Sequence, residues 1–323
     1  MKAITYHEYG SPDALEFEDV DAPGVKDDEV LVRVRAASVN PRDWHFMRGV
    51  PYFMRAQAGL RRPKSSLLGS DVAGQVEAVG TAATRFHPGD EVFAHVQEGG
   101  FAEYAAVPEE ALGLKPANLT FEQAAAVPLA GLTALQGLRD QGRVRPRQKV
   151  LIIGAAGGVG TFAVQLAKHF GADVTGVCST RNLDLVRSIG ADHVIDYTRE
   201  DVTKGGQRYD LIFQLAGTRS PSDLRRALTP KGTLLLSSGE SDGRWVGPMD
   251  RILKALVLAP FVSQRLSSFL AKSTTEDLQA LKELIEAGKV SPVIDRTYPQ
   301  SEVPEAIRYL EEGHARGKVV VTV

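Results

Sequence analysis

The segment Val150–Ala172 constrains the fold of this chain more than any other stretch. It opens with a short apolar run, Val150–Ile153, that is typical of a strand buried on both faces. A glycine-rich turn follows, and apolar residues then recur at helical spacing as far as Phe170. Gly171 stands where the C-cap of that helix favours a positive φ. Strand, glycine turn and helix in this order predict the opening of a dinucleotide-binding βαβ unit.

The glycine turn is an imperfect dinucleotide fingerprint. Its letters run Ala155-x-Gly157-Gly158-Val159-Gly160, so alanine stands at the first glycine position of the GxGxxG pattern. Glycines let the backbone approach a pyrophosphate, and the helix N-terminus offers free N–H groups. A turn that binds no nucleotide fits the same letters, so the segments downstream decide between the two interpretations.

The segments after the turn favour a parallel sheet. Strands and helices alternate, which is the pattern of a doubly wound α/β domain with helices on both faces of the sheet. The predicted strands are Asp173–Cys178, His193–Tyr197, Tyr209–Ala216 and Thr233–Ser238, and further on Val290–Ile294 and Lys318–Val323. The predicted helices are Asn182–Ile189, one capped by Ser220, then Glu276–Ala287 and Val303–Glu312. This alternation supports the nucleotide-binding interpretation of the turn.

The chain before the turn is predicted to be rich in β-structure. Residues 1–118 contain short segments of strand character, including Asp71–Val79, Asp90–Val96 and Phe101–Val107. The stretch Asn40–Leu68 has no clear period and is predicted to be a long irregular segment of functional importance. The predicted fold class is therefore α/β, with a β-rich domain first and a doubly wound parallel-sheet domain second.

Composition narrows the class of protein. The 323 residues are 43% hydrophobic and 24% charged, as in soluble globular proteins with one large or two ordinary domains. A net charge of −2 gives no reason to expect nucleic acid as a partner. The single cysteine, Cys178, excludes a disulfide framework and fits a reducing compartment. The N-terminal residues resemble neither a signal nor a transit peptide, and no apolar run approaches a membrane span, so we expect a cytoplasmic protein.

The end of the second strand of the predicted unit indicates which dinucleotide is bound. An acidic residue there would accept hydrogen bonds from the ribose 2′-hydroxyl of NAD. Val177–Arg181 contains no acid and offers Ser179, Thr180 and Arg181, which suit a 2′-phosphate. The alternative is that Ser179 or Thr180 only caps the next helix and that Arg181 is solvated. These residues favour NADPH over NADH.

Several motifs resemble one family of oxidoreductases. The stretch VLIIGAAGGVGTFAVQLAKHFGADVTGVCSTRN is similar to the zinc-independent quinone oxidoreductase branch of the medium-chain dehydrogenase/reductase superfamily. Six further motifs agree across nearly the whole chain: SVNPRD, GSDVAG, GDEV, GGFAEY, PLAGLTA and GHARGK. The last of them, together with Val177–Asn182, resembles the reticulon-interacting mitochondrial NADPH oxidoreductases and their bacterial relatives.

The resemblance implies a domain organisation and a set of cofactor contacts. Residues 1–120 and 295–323 would form a GroES-like catalytic domain and residues 121–294 a Rossmann NADP-binding domain, with the cofactor in the cleft. The turn Ala155–Gly160 would cradle the pyrophosphate, and Ser179 and Arg181 would bind the 2′-phosphate. The other implied contacts are Tyr197 beside that ribose or the adenine, Thr133 and Gly239 at the nicotinamide end, and Lys318 from the GroES-like domain. Tyr197 equally fits a packing residue at the sheet edge.

The same resemblance shows where this chain departs from the zinc alcohol dehydrogenases. Those enzymes have a cysteine at the position of Asn40 and a histidine–glutamate pair at Ser70 and Asp71, and they carry a four-cysteine structural loop that this sequence lacks. Zinc needs three or four such ligands. The seven histidines are scattered without ligand spacing, so no metal is predicted.

A site without zinc favours reduction of an electron-poor acceptor. Oxidation of an alcohol would lack its Lewis acid, whereas a quinone or an activated enone or enal double bond takes a hydride directly from NADPH. Asn40 is the first candidate donor to the developing oxyanion, although it equally fits a turn residue before Pro41. His45 could donate or relay a proton, with a surface-loop histidine as the alternative, and Tyr52 is a further candidate.

The expected partner is a small lipophilic electron acceptor, and the resemblance implies a homodimer. Ser267–Ala271 is a candidate edge strand for that dimer. The apolar segment Met249–Val262 would either form a lid or a wall for the acceptor, or be a helix that packs on the sheet or makes a dimer contact. Two other functions stay open: a zinc-free NADP-dependent alcohol or aldehyde oxidoreductase, and a non-catalytic NADPH-binding scaffold or sensor.

Overall fold

The computed structural model describes residues 1–237 and 249–323. Within them the strands are β1 (Lys2–Tyr6), β2 (Leu15–Asp19), β3 (Glu29–Val39), β4 (Asp71–Val79), β5 (Glu91–His95), β6 (Tyr104–Pro108), β7 (Leu112–Leu114), β8 (Lys149–Ile153), β9 (Asp173–Cys178), β10 (His193–Asp196), β11 (Tyr209–Gln214), β12 (Leu228–Leu236), β13 (Arg265–Ser268), β14 (Ile294–Pro299) and β15 (Lys318–Thr322). The α-helices are α1 (Pro41–Arg48), α2 (Arg55–Ala58), α3 (Phe121–Ala125), α4 (Pro128–Gln136), α5 (Gly158–His169), α6 (Leu183–Ser188), α7 (Pro221–Leu224), α8 (Met249–Leu258), α9 (Thr275–Glu286) and α10 (Val303–Glu311). In this described part, no helix has the length and apolar character needed to cross a membrane.

The chain divides into two units. The first unit comprises Met1–Leu132 and Ser273–Val323, and the second comprises Thr133–Lys272. The boundaries inferred from the resemblance, 1–120 with 295–323 and 121–294, stay a prediction. Each unit is built on its own sheet.

The second unit contains a six-stranded sheet in which all strands are parallel. Their order is β10-β9-β8-β11-β12-β13. The order reverses between β8 and β11, so the carboxyl ends of these strands form the switch point at which doubly wound sheets bind their ligands. The central strand β8 buries Val150, Leu151 and Ile152, as its apolar run predicts. The predicted doubly wound sheet is confirmed.

Helix α5 follows β8 because its sequence has one apolar face and defined ends. Phe162, Ala163 and Leu166 are buried, and burial of a large apolar side chain contributes about 1.5–3 kcal/mol. The chain leaves the helix through Gly171, whose φ is 79°. Core packing, rather than intrinsic propensity, therefore stabilises a helix that starts with glycine.

The first unit contains a mixed sheet and a separate antiparallel pair, β1 and β2. The sheet order is β14-β15-β3-β4-β5-β7, and β6 also pairs with β3. Strands β14 and β15 are parallel, and the other neighbours are antiparallel. The final strand of the chain thus lies beside the long strand β3 and completes the sheet.

One end of this sheet gathers residues from distant parts of the sequence. Ser38 lies opposite Asp71 in the β3–β4 pair, and Asp71 lies opposite His95 in the β4–β5 pair. Strand β15 pairs with the last residues of β3, so Lys318 at its start comes close to Asn40, which follows β3. Because antiparallel neighbours place the end of one strand beside the start of the next, Asn40 and Lys318 meet at this end of the sheet although 278 positions separate them.

The stretch Asn40–Leu68 is wrongly predicted as irregular throughout, since it contains α1 and α2. Helix α1 begins with Pro41 at its first position, and the Asp43 carboxylate accepts a hydrogen bond from the Asn40 N–H (2.7 Å). Its eight residues bury only Asp43 and Met47. So short a helix with a charged buried residue shows no apolar period in the sequence.

The predicted strand Val290–Ile294 is also wrong. The strand in this region is β14, which begins at Ile294 and pairs with β15. Pro292 lies within the predicted segment and lacks the N–H that a ladder needs, so pairing starts only after it.

Candidate active site

A buried polar cluster lies at the end of the first-unit sheet described above. Six of its residues are buried, and the seventh, His95, has a side chain that is 10% exposed. Buried polar groups are stable only when they are hydrogen-bonded. The members of the buried polar cluster are Ser38, Asn40, Asp43, Ser70, Asp71, His95 and Lys318.

Asn40 and Lys318 form the centre of the buried polar cluster. Lys318 Nζ donates a hydrogen bond to Asn40 Oδ1 (2.5 Å) and lies 3.5 Å from Asp71 Oδ2. Asn40 Nδ2 donates to Asp71 Oδ2 (2.9 Å) and lies 3.3 Å from both Ser70 Oγ and the Ser38 carbonyl oxygen. The Asn40 amide therefore bridges an ammonium and a carboxylate, and both ends of its side chain are used within the protein.

Asp71 accepts hydrogen bonds on both carboxylate oxygens. Oδ1 accepts from the Leu129 N–H (3.0 Å) and lies 3.1 Å from His95 Nδ1. Oδ2 accepts from the Ser38 hydroxyl (3.1 Å) as well as from Asn40. Leu129 lies in the first turn of α4, where unpaired N–H groups favour an anion. The carboxylate is thus fixed from four directions.

The charges of Asp71 and Lys318 depend on each other. Burial acts to raise the pKa of Asp71, but the Lys318 ammonium and the hydrogen bonds from His95 and Asn40 outweigh burial and hold that pKa below its usual value. Burial lowers the pKa of the Lys318 ammonium, although the carboxylates of Asp71 and Asp43 oppose the shift. We describe the two groups as a buried ion pair whose cation is stabilised by Asn40.

Asp43 is a second buried carboxyl group, joined to the centre through Ser70. Ser70 Oγ donates to Asp43 Oδ1 (2.8 Å), and the Asn40 N–H donates to Oδ2. Burial raises the pKa of Asp43 to about 6, although these two hydrogen bonds oppose the shift. Asp43 therefore exchanges a proton near neutral pH within a connected network.

The predicted catalytic candidates His45 and Tyr52 lie on the segment that follows Asn40. His45 Nδ1 lies 2.8 Å from the Val50 carbonyl oxygen. Because a carbonyl oxygen only accepts, Nδ1 carries the hydrogen and Nε2 of the neutral ring is an acceptor. Burial lowers the pKa of His45, which favours this neutral form. The Tyr52 ring centroid lies 4.8 Å from the Arg55 guanidinium carbon.

The glycine turn follows β8 at the carboxyl edge of the second-unit sheet. Gly154 has a φ of 88°, a conformation that favours glycine. The tight turn is thus made at Gly154, one residue before Ala155, which stands at the first glycine position of the fingerprint. Ala155 is fully buried. A Cβ on Gly160 would lie 2.0 Å from the Gly154 carbonyl oxygen, so only glycine fits there. Alanine at position 155 is therefore compatible with the turn.

The first turn of α5 presents free N–H groups beside this turn. Gly157 is the N-cap, and Gly158 and Val159 are the first two helical residues. The N–H groups at a helix start have no carbonyl partner within the helix and carry the positive end of its dipole. A Cβ on Gly157 would meet only one atom, at 3.5 Å, so the surface of the turn is open. This arrangement fits a dinucleotide pyrophosphate.

Ser179, Thr180 and Arg181 follow β9, as the sequence predicts. Ser179 is the N-cap of a 3₁₀ turn, but its side chain makes no capping hydrogen bond. Asn182 Nδ2 donates to Ser179 Oγ (3.3 Å), which leaves the Ser179 hydroxyl hydrogen for another acceptor. Thr180 Oγ1 donates to Asp196 Oδ2 (2.5 Å), and Arg181 is exposed. Ser179 and Arg181 can therefore bind an added anion.

The remaining predicted cofactor residues are dispersed. Tyr197 is 56% exposed, and its N–H donates to the Cys178 carbonyl oxygen at the end of β9. Thr133 is buried in α4. Gly239 lies outside the described residues.

The donor set of the buried polar cluster does not suit zinc. Asn40 and Ser70 offer an amide and a hydroxyl, and the Lys318 ammonium already interacts with Asn40 and Asp71. Asp43, Asp71 and His95 offer two carboxylates and an imidazole, but their ligand atoms do not converge within the distance that one metal ion needs. Zinc sites in proteins are built from thiolate, imidazole and carboxylate ligands. In residues 1–237 and 249–323, the one convergent group of histidine and carboxylate ligands is the largely exposed set His7, Glu16 and Glu18.

Two family models match the chain. The Alcohol dehydrogenase GroES-like domain matches residues 26–117, and Zinc-binding dehydrogenase matches residues 189–321. The chain is 38% identical to the chloroplastic NADPH-dependent alkenal/one oxidoreductase of Arabidopsis thaliana, over 99% of this chain and 79% of that protein. The solved structure of the Coxiella burnetii quinone oxidoreductase is similar with a TM-score of 0.88 and 31% identity, covering 100% of this chain and 99% of that one. This chain belongs to the quinone oxidoreductase branch of the medium-chain dehydrogenase/reductase superfamily.

These matches confirm the predicted family and the predicted fold of a GroES-like and a Rossmann domain. They also confirm that the protein is an oxidoreductase. A further relative is the mitochondrial NAD(P)H oxidoreductase RTN4IP1 of Mus musculus, 37% identical over 100% of this chain and 89% of that protein. The GroES-like match lies within the first unit, where the buried polar cluster is found.

The sequence prediction missed Ser38, His95 and Asn182. Asp71 begins one predicted strand and His95 lies near the end of the next, so a hairpin register would have placed them side by side. Asn182 directly follows the residues predicted to bind the 2′-phosphate. Its hydrogen bond to Ser179 depends on the 3₁₀ turn between them, which the sequence alone does not predict.

Proposed function

We propose that this protein is an NADPH-dependent oxidoreductase that reduces a quinone or an activated enone or enal double bond by direct hydride transfer without a metal. The observation that carries the proposal lies at the carboxyl edge of the second-unit sheet. An open glycine turn follows β8 at the switch point, and the neighbouring strand β9 is followed by Ser179 and Arg181 rather than by an acidic residue. The names of the Arabidopsis and Coxiella relatives support the cofactor and the two acceptor classes.

The chain's own residues would hold the cofactor, which supplies the hydride when bound. The free N–H groups of Gly158 and Val159 would bind the pyrophosphate. The Ser179 hydroxyl, oriented by Asn182, and the Arg181 guanidinium would bind the 2′-phosphate through charge-assisted hydrogen bonds. Contacts of Thr133, Tyr197 and Gly239 with the cofactor remain part of the proposal.

Reduction of these acceptors needs a proton as well as a hydride. Asp43 exchanges a proton near pH 6, Ser70 links it to Asn40, and Asn40 holds the Lys318 ammonium. In this proposal Asn40 acts mainly by positioning Lys318, because its amide N–H groups already bind Asp71 and Ser70. Direct donation by Asn40 to an oxyanion would require those hydrogen bonds to be exchanged.

Neutral His45 and Tyr52 remain further candidates for proton transfer. As an Nδ1–H tautomer, His45 would accept a proton at Nε2 before it could donate one. The pH dependence of kcat in variants of each residue separates these roles from that of the buried polar cluster.

The test is an acceptor screen with NADPH against NADH. The acceptors are 1,4-benzoquinone, 9,10-phenanthrenequinone and an α,β-unsaturated ketone, and the readout is oxidation of the cofactor. Two charge-assisted hydrogen bonds of about 1.5 kcal/mol each would give NADPH an advantage of about 100-fold in kcat/KM. Arg181→Gln should reduce that advantage, whereas the control, Arg187→Gln at an exposed position of α6, should not.

Two outcomes would redirect the proposal. Tight NADPH binding without turnover of any acceptor would favour the scaffold or sensor function. Turnover limited to alcohols and aldehydes with NADP⁺ or NADPH would favour the alcohol or aldehyde oxidoreductase.

A small lipophilic acceptor, a homodimer and a cytoplasmic location belong to the same proposal. The outermost position of β13 in the six-stranded sheet supports edge-to-edge pairing of two copies. The two curated relatives above are named as chloroplastic and mitochondrial, so the location needs a direct measurement such as fractionation.

Helix α8 fits packing on the sheet and also leaves an apolar outer face. Ala255 belongs to the core that includes Leu234 and Leu266, whereas Leu256 and Val257 are exposed. A polar substitution at Leu256 should raise KM for long-chain but not short-chain quinones if this segment contacts the acceptor; equal effects would exclude a lid.

A further inference from the structure

A cavity of about 360 Å³ opens at the amino edge of the second-unit sheet. Its lining comes from the residues just before β11, the start of β12 and the residues just before β13, namely Arg208, Leu228, Pro230, Ser263 and Gln264. The glycine turn lies at the opposite, carboxyl edge. Strand β11 has six residues, so the two edges are about 16 Å apart. The cavity is therefore separate from the glycine turn.

Three guanidinium groups line this cavity: those of Arg208, Arg225 and Arg226. Arg226 lies 3.8 Å from the Asp223 carboxylate. Within residues 1–237 and 249–323, neither Arg208 nor Arg225 forms an ion pair, and the lining contains no carboxylate. Two of the three arginines therefore have no compensating carboxylate within these residues, and we infer a positive potential at the cavity that attracts an anion.

The lining also contains buried polar atoms without partners. Arg225 Nε and Gln264 Oε1 are both buried, and neither has a hydrogen-bond partner. An unpaired buried donor costs free energy unless a ligand or a rearrangement satisfies it. An oxyanion that draws the Arg225 guanidinium to itself would satisfy that donor, and the NH₂ group of the Gln264 amide adds a second donor. The Ser263 hydroxyl already donates to the Pro230 carbonyl oxygen (2.7 Å).

We propose that this cavity binds the diphosphate group of a small organic phosphate. The planar guanidinium fork matches phosphate oxygens in pairs, and three forks around one cavity suit adjacent phosphate groups better than a single carboxylate. Leu228 and Pro230 supply an apolar wall for the carbon part of such a ligand. The second unit would then bind a phosphorylated metabolite at the amino edge of its sheet, whereas the glycine turn lies at the carboxyl edge.

The test measures binding of inorganic pyrophosphate by isothermal titration calorimetry at low ionic strength. Arg225→Gln and, separately, Arg208→Gln should each weaken binding by about tenfold or more, as expected for loss of a charge-assisted hydrogen bond. Arg208 is exposed, so its variant tests the site even if Arg225→Gln fails to fold. Added sodium chloride should weaken binding because it screens the guanidinium charges.

The control variant is Arg187→Gln, on α6, which should leave the pyrophosphate affinity unchanged. Arg181→Gln reports pyrophosphate that binds at the proposed cofactor site instead. Absence of pyrophosphate binding to the wild type would overturn the inference. So would loss of binding in Arg181→Gln together with full binding in Arg208→Gln. None of these measurements requires NADPH or turnover, so their outcome is independent of the proposed reaction.

Discussion

Replacement of Lys318 by methionine tests whether the buried polar cluster depends on its ammonium. Lys318 Nζ donates to Asn40 Oδ1 (2.5 Å) and lies 3.5 Å from Asp71 Oδ2, and both Lys318 and Asp71 are at most 3% exposed. Methionine has a similar length but no charge and no donor. The variant leaves a buried carboxylate without its cation and a buried amide oxygen without its donor.

The expected cost follows from this geometry. Two unit charges 3.5 Å apart attract each other by about 5 kcal/mol at an effective dielectric constant of about 20. The cost of desolvating Lys318, which the variant no longer bears, offsets part of that attraction. Removal of one partner from a buried pair typically destabilises a protein by about 3–5 kcal/mol, and we expect Lys318→Met to lower the free energy of unfolding by about that amount.

The assay is a double-mutant cycle measured by urea unfolding at neutral pH. The variants are Lys318→Met, Asp71→Asn and the combination, and the expected coupling energy is about 3 kcal/mol. The control is the Lys168–Asp192 pair, whose atoms are closer (2.7 Å) but whose side chains are about one-third exposed. Exposed pairs couple by about 0.2–1 kcal/mol. A Lys318–Asp71 coupling no larger than that of the control would refute the role assigned to burial.

Three further predictions concern the glycine turn, the Asn182 side chain and the Asp43 carboxyl group. Gly160→Ala would place a Cβ 2.0 Å from the Gly154 carbonyl oxygen, and we expect at least a tenfold weaker NADPH affinity by fluorescence titration; unchanged affinity would contradict the assigned turn. Asn182→Ala removes the hydrogen bond to Ser179 Oγ and should raise KM for NADPH by about fivefold, as for loss of about 1 kcal/mol, while KM for NADH stays constant. Burial raises the pKa of Asp43 to about 6, so between about pH 4 and pH 6 the folded state holds a proton that the unfolded state has lost. This group's contribution to the free energy of unfolding therefore falls by about 3 kcal/mol over that range. In Asp43→Asn, the free energy of unfolding measured with urea should lack this fall with pH.

The buried strands of the second unit were predictable because turn-forming residues, such as glycine, flank their apolar runs. Strand β9 begins and ends at the predicted residues Asp173 and Cys178, two residues after Gly171 with its positive φ. After Asp173 its residues are apolar or small apart from Thr175, as is typical of a strand buried on both faces. Helix α1 has no such signal, because it is only eight residues long and buries the charged Asp43 as well as the apolar Met47.

The buried polar cluster could not be predicted from local pattern because it depends on register between distant strands. Asn40 was predicted as an oxyanion donor, and Asp71 was noted only because zinc dehydrogenases have a ligand at that position. Lys318 was predicted from the resemblance to contact the cofactor, which stays a prediction, and its contact with Asn40 was not foreseen. The pairing of β15 with β3 is what brings Lys318 to Asn40. Pairing over such a separation is set by the whole sheet and leaves no trace in the residues near either position.

The arrangement gives a physical account of how this fold keeps a cation at the end of its sheet without zinc ligands. Asp71 receives a main-chain N–H from α4 and three side-chain contacts, so its environment already favours an anion. An anion fixed in a buried position requires a nearby positive charge. The Lys318 ammonium meets that requirement through the last strand of the chain, and Asn40 holds it in place. The C-terminal strand is therefore part of the site as well as part of the sheet, and the two roles cannot be changed independently.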